Sequence, residues 1–189
     1  MQRWIEWFVV LLVCMVGTAS QSHADIMMYF GTTEGGSTWN RPNAGLPPLP
    51  PLSGIGTVVP FSVQQFEVSQ SGLYDFLSTS VMPTSWDNNL YLYEASFNAA
   101  APLNNAVVGS DDFPDIGLSG FNAVNLVAAT NYFLVTTGFT NSSTGSYSNT
   151  LSGPGNIVLI PVPEPSSLVI CGLSACFILV RRRRSSGLR

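Results

Sequence analysis

From Gly56 to Ile160 short apolar runs with a period of two alternate with clusters of Gly, Asn, Asp and Ser. Thr57 to Val68 is rich in β-branched and aromatic residues, and Ser69-Gln70-Ser71-Gly72 reads as a turn before Leu73 to Val81. Leu90 and Leu92 share one strand face, and Tyr91 and Tyr93 share the other. Asn131 to Phe139 alternates in the same way, with Phe133, Val135 and Thr137 opposite Tyr132, Leu134 and Thr136. Val124 to Leu126, Ser146 to Leu151 and Asn156 to Ile160 predict further strands, and Asp111 to Gly120 predicts a loop. No stretch of this middle region sustains a 3.6-residue period. The pattern predicts an all-β fold, a small β-sandwich or jelly roll of about seven short strands, over residues 56–161.

The segments around it have different textures. Residues 25–55 carry Gly31, Gly35, Gly36, Pro42 and Gly45, then four prolines within Leu46-Pro47-Pro48-Leu49-Pro50-Pro51-Leu52. That composition predicts an irregular segment ending in a stiff, extended spacer. Residues 1–24 read as a signal peptide. Arg3 starts it, an apolar run from Trp7 to Val16 follows, and Ser22-His23-Ala24 offers a small-x-small cleavage site after Ala24. Thr18-Ala19-Ser20 offers a second site, and an uncleaved anchor is the alternative. A signal peptide implies export and makes signal peptidase a processing partner.

Residues 162–189 form a tail. Val162-Pro163-Glu164-Pro165 precedes a 13-residue apolar run, Leu168 to Val180, and then Arg181, Arg182, Arg183 and Arg184. Arginines directly after an apolar segment mark its cytoplasmic side. As a helix, residues 168–180 reach about 20 Å, short of a hydrocarbon core of roughly 30 Å. They are a marginal membrane anchor. Motif, short transmembrane helix and arginine cluster, in that order, resemble the PEP-CTERM sorting signal of Gram-negative bacteria. The resemblance implies processing near the Pro-Glu-Pro motif by an exosortase, through an inner-membrane intermediate. It further implies a final place at the cell surface or in the extracellular matrix, and a host that makes exopolysaccharide.

Charge narrows the chemistry. The seven basic residues are all Arg, and between Asp25 and Pro161 only Arg41 is basic, against nine acids. The single His, His23, and the three Cys, Cys14, Cys171 and Cys176, lie in the two end segments. The middle region therefore has no imidazole or thiol for a catalytic triad, a Cys-His pair or a Cys/His zinc site. Its acidity speaks against nucleic acid, whose binding rests on Lys and Arg contacts to phosphate.

Within the middle, Phe66-Glu67-Val68, Ser71-Gly72-Leu73-Tyr74, Trp86-Asp87-Asn88-Asn89-Leu90-Tyr91-Leu92-Tyr93, Gly109-Ser110-Asp111-Asp112 and Thr130-Asn131-Tyr132-Phe133-Leu134-Val135 occur in that order. They are similar to the motifs of bacterial pre-peptidase C-terminal domains, non-catalytic β-sandwiches appended to secreted proteins. The resemblance implies that Gly72-Leu73-Tyr74 opens a core strand, that Asp87 precedes another, and that Asp111-Asp112 closes a turn after it. It also implies that the protein is not an enzyme.

The carboxylates supply the remaining candidate site. Asp111, Asp112 and Asp115 crowd five residues, and Asp87 with Asn88 and Asn89 joins them if the strands pair suitably. Oxygen-only donors suit Ca2+, the one cofactor candidate, although no EF-hand spacing is present. The alternative is that these residues only make turns by bonding their own backbone. A glycosidase needs two carboxylates facing across a cleft; Asp75, Asp87, Glu94 and Asp112 are available, but sequence alone cannot pair them. Trp39, Trp86, Tyr91 and Tyr93 offer sugar-stacking rings if exposed, and Tyr91 and Tyr93 are the pair expected outside. Asn141-Ser142-Ser143 is a formal glycosylation triplet that reads as a turn. Two functions remain. One is a non-catalytic surface or matrix protein associated with exopolysaccharide. The other is a Ca2+- or carbohydrate-binding module.

Overall fold

A computed structural model describes residues 24–48 and 50–161. The signal residues 1–23 and the tail residues 162–189, including Val162 to Pro165 and Arg181 to Arg184, lie outside the described residues. Among the described residues there is no α-helix, and ten strands form two antiparallel sheets. The strands are β1 (Asp25–Thr32), β2 (Thr38–Trp39), β3 (Val59–Val68), β4 (Gly72–Met82) and β5 (Asn88–Glu94). They continue with β6 (Ala106–Asp111), β7 (Leu118–Leu126), β8 (Tyr132–Gly138), β9 (Ser146–Gly153) and β10 (Ile157–Ile160). One sheet has the order β1-β9-β4-β7 and the other β10-β3-β8-β5-β6, with β2 paired to β3.

The sheets face each other as a sandwich, as the alternation predicts. Tyr74, Phe76, Phe121, Leu126 and Leu151 from one sheet meet Phe66, Leu90, Leu92, Val108, Tyr132, Leu134 and Ile157 from the other. Each set recurs at every second position, so one face of each strand builds the core. Gly72 opens β4, and Tyr74 is its first fully buried side chain.

Three strands appear where none was expected: β1, the two-residue β2 within the same segment, and β6. β1 falls inside residues 25–55, the segment read as irregular. Its signal is hidden because both faces are apolar: Met27 and Tyr29 pack on the core while Ile26, Met28 and Phe30 are exposed. β6 is short and interrupted by Gly109, which lies opposite Tyr91 in the ladder. A Cβ there would come 2.5 Å from Tyr91 Cε1, so the packing of that ring requires the glycine. The loop expected over residues 111–120 contracts to residues 112–117.

The proline-rich stretch folds back on itself instead of acting as an open spacer. Pro42 bridges Leu52, Asn43 N donates to Pro51 O at 3.0 Å, and Arg41 and Ser53 are linked by a further backbone bond of 2.8 Å. The resulting roof lies on the outer face of the six-stranded sheet. Under it Trp39, Val59, Tyr91, Tyr93 and Val135 form a second buried cluster, flanked by Phe61 and Phe97. Tyr91 and Tyr93 were the pair expected outside, and the roof is why they are fully buried.

Candidate metal centre

The start of β5 and the end of β6 bring three carboxylates together. Asn89 and Asp111 are ladder partners, which puts Asp87, just before β5, beside Asp111 and Asp112. One carboxylate oxygen from each of the three lies within 4.8 Å of the other two. Asp87 and Asp111 are partly buried and Asp112 is exposed. Asp112 has a φ of 44°, the left-handed turn conformation that Asp tolerates better than most residues. The chain turns there out of β6, and Phe113 N donates to Leu118 O to tighten the corner.

The electrostatics are unfavourable without a positive partner. Burial, then the neighbouring Asp87 and Asp112, push the Asp111 carboxyl up to about 6, with Arg41 acting the other way. Burial and Asp112 raise Asp87 as well, again opposed by Arg41. Asp87 Oδ1 and Asp111 Oδ1 are buried with no hydrogen-bond partner. Such orphaned acceptors normally cost stability unless a proton, water or cation meets them.

Arg41 is the only base between Asp25 and Pro161, and its guanidinium is already committed. It is buried, with 2% of its surface exposed. Nε and Nη2 donate to Phe139 O, and Nη1 donates to Pro42 O and to the Tyr91 hydroxyl at 3.1 Å. The Tyr91 hydroxyl in turn donates to Pro42 O at 2.6 Å. Arg41 thus pins the roof to β5 and to the residue after β8. It adds long-range positive potential at the carboxylates.

The other expected residues divide cleanly. Asp115 stands outside the carboxylate group. Its backbone oxygen accepts from Leu118 N at 3.0 Å, which is turn chemistry. Asn88 points into the sandwich, where Nδ2 donates to Ser78 Oγ. Asn141 is a turn residue whose Oδ1 accepts from Val58 N and whose Nδ2 donates to Thr57 Oγ1. Trp39, Trp86, Tyr91 and Tyr93 are all buried, so the rings proposed for sugar stacking are not at the surface. Trp39 Nε1 donates to Thr137 Oγ1 and Trp86 Nε1 to Ser146 O, as buried indoles usually find a partner. Sequence reasoning missed Arg41 as part of this region. The signal available was its isolation as the only base in an acidic stretch.

No protein-family model matches this chain, and no curated protein matches it.

Proposed function

We infer that the chain is an exported, non-catalytic surface or matrix protein, whose β-sandwich is the working part and whose two ends are addresses. The observation that carries this reading is where the fold starts and stops. β1 begins at Asp25, the residue that cleavage after Ala24 makes first. β10 ends at Ile160, two positions before Val162. All ten described strands thus lie between the two expected cut points, so removal of both ends takes none of them. In this reading signal peptidase and an exosortase process the chain at the inner membrane. The sandwich then stays at the cell surface or in the exopolysaccharide of a Gram-negative host. The absence of His, Cys and Lys from residues 25–161 supports a non-catalytic role.

The intact mass of the protein recovered from envelope and medium tests this. The expected mass corresponds to a chain from Asp25 to a residue between Pro163 and Ser167. A mass that retains Leu168 to Arg189 would sink the processing claim and leave a membrane-tethered domain.

A second reading, that the domain binds a hard cation, is favoured by the convergence of Asp87, Asp111 and Asp112. The four rings offered for carbohydrate stacking are buried and lend that alternative no support.

A further inference from the structure

We propose that Asp87, Asn89, Asp111 and Asp112 together form a Ca2+ site that fastens the corner between β6 and β7 to the start of β5. The proposal rests on the cation-binding reading and specifies its ligands. The carboxylates alone do not make the case, since acidic groups often cluster on surfaces. Asn89 adds an independent observation. It is fully buried, and its Oδ1 has no hydrogen-bond partner. It sits directly opposite Asp111 in the ladder, so the two side chains leave the same face of the sheet. Its Nδ2 lies 3.5 Å from the hydroxyl of Tyr91, two residues further along β5 and away from Asp87. Its bare oxygen stands on the face of the sheet that Asn89 shares with Asp111.

Three buried acceptors, Asp87 Oδ1, Asn89 Oδ1 and Asp111 Oδ1, thus gather at one end of the β5–β6 pair with no donor among them. Arg41 commits four of its five N–H groups to Phe139, Pro42 and Tyr91, and these oxygens accept from none of them. An all-oxygen set with no nitrogen or sulfur calls for a hard cation. Oxygens around one Ca2+ ion stand about 2.3–2.6 Å from it, so pairs of ligands up to about 5 Å apart share one ion. The carboxylate oxygens fall inside that limit. The set is irregular, with one amide, two half-buried carboxylates and one exposed carboxylate on a turn. Ca2+ accepts such geometry, whereas Mg2+ holds to a near-ideal octahedron of about 2.0–2.1 Å. The exposed side at Asp112 leaves room for water to complete the shell.

The test uses the full-length chain in detergent micelles, stripped with EDTA and then titrated with CaCl2 or MgCl2. Thermal unfolding and calorimetric binding are the readouts, with Tb3+ luminescence under tryptophan excitation as a third, because Trp86 adjoins Asp87. Ca2+ is expected to raise the melting temperature by several degrees at about a hundredfold excess over Kd. Mg2+ is expected to do much less. Asp111→Asn relieves the repulsion, so it raises the melting temperature of the stripped protein and abolishes the Ca2+ response. Asn89→Leu weakens Ca2+ binding at least tenfold, and Asp115→Asn leaves it unchanged. If Ca2+ stabilises the wild type but Asp111→Asn and Asn89→Leu respond normally, the ligand set is wrong while the cation reading survives. Equal responses to Mg2+ and Ca2+ overturn the choice of ion. No response to either ion overturns both the site and the reading beneath it.

Discussion

The outer face of the six-stranded sheet lies under the roof around Trp39 and Arg41, while among the described residues the outer face of the four-stranded sheet is exposed. Beneath the roof, Trp39 packs edge-on against Tyr91, Tyr93 and Phe97. On the open face Ile26, Met28 and Phe30 are 69%, 56% and 73% exposed, and Leu73 of β4 is 60% exposed. The sheet edges differ in the same sense. β6 exchanges two backbone hydrogen bonds with Gly45 of the roof, whereas β1 ends its sheet and carries no Pro or Lys to discourage further pairing. A period-two pattern states that two faces differ. Which apolar face is buried is decided by a segment that has no period at all.

The largest expected effect breaks the covered face. Trp39→Ala removes an indole that touches four other rings, Phe61 among them, and its hydrogen bond to Thr137. A loss of about 3–5 kcal/mol in urea unfolding is expected. Next comes Arg41→Met, which keeps bulk but releases the bonds to Phe139, Pro42 and Tyr91. A loss of roughly 1.5–3 kcal/mol is expected by the same measurement. A smaller effect than that of Trp39→Ala would show that the roof is held by its ring packing more than by its cation.

A third expectation concerns pH in the absence of divalent cations. Asp111 has its carboxyl raised from 3.8 to about 6 in the fold. A raised pKa means that the folded state holds its proton longer than the unfolded state. Stability is therefore fully present below pH 3.8 and is lost as pH rises through about 6. The loss is on the order of 1 kcal/mol, once solvent screening of a half-exposed carboxylate is allowed for. Urea midpoints measured between those limits should fall in the wild type and fall less in Asp111→Asn. The smallest effect belongs to the open face. Phe30→Ser should change stability by no more than about 0.5 kcal/mol, as surface substitutions usually do. A loss approaching that of Trp39→Ala would mean that the open face is covered in solution.

Much of this architecture is legible in the sequence, and the gaps have physical reasons. The alternation in Leu90-Tyr91-Leu92-Tyr93 and in Asn131 to Phe139 locates β5 and β8, the central pair of the larger sheet. β1 is hidden because its outward positions are as apolar as its inward ones. β6 is hidden because Gly109 yields its side-chain space to Tyr91. That second omission is also why the carboxylate group is only half legible. Asp87, Asp111 and Asp112 are candidates by residue type, but the pairing of Asn89 with Asp111 is what joins them. Asp115 is four residues from Asp111 in the chain, yet the corner at Asp112 turns it away.

The first strand has a kinetic consequence. Within its sheet β1 pairs only with β9, matching Asp25 to Gly153 and Thr32 to Ser146. Asp25 Oδ2 also accepts from Ile157 N, at the start of β10. The first of the described strands therefore waits for the last two of them. Loops of this length close slowly, and folds dominated by such distant pairings are slow to form. Until then its apolar residues, Met27 and Tyr29 inward and Ile26, Met28 and Phe30 outward, are held by nothing. β1 must stay unpaired and soluble while the strands between it and β9 find their partners, and only the arrival of Ser146 to Gly153 lets it join its sheet.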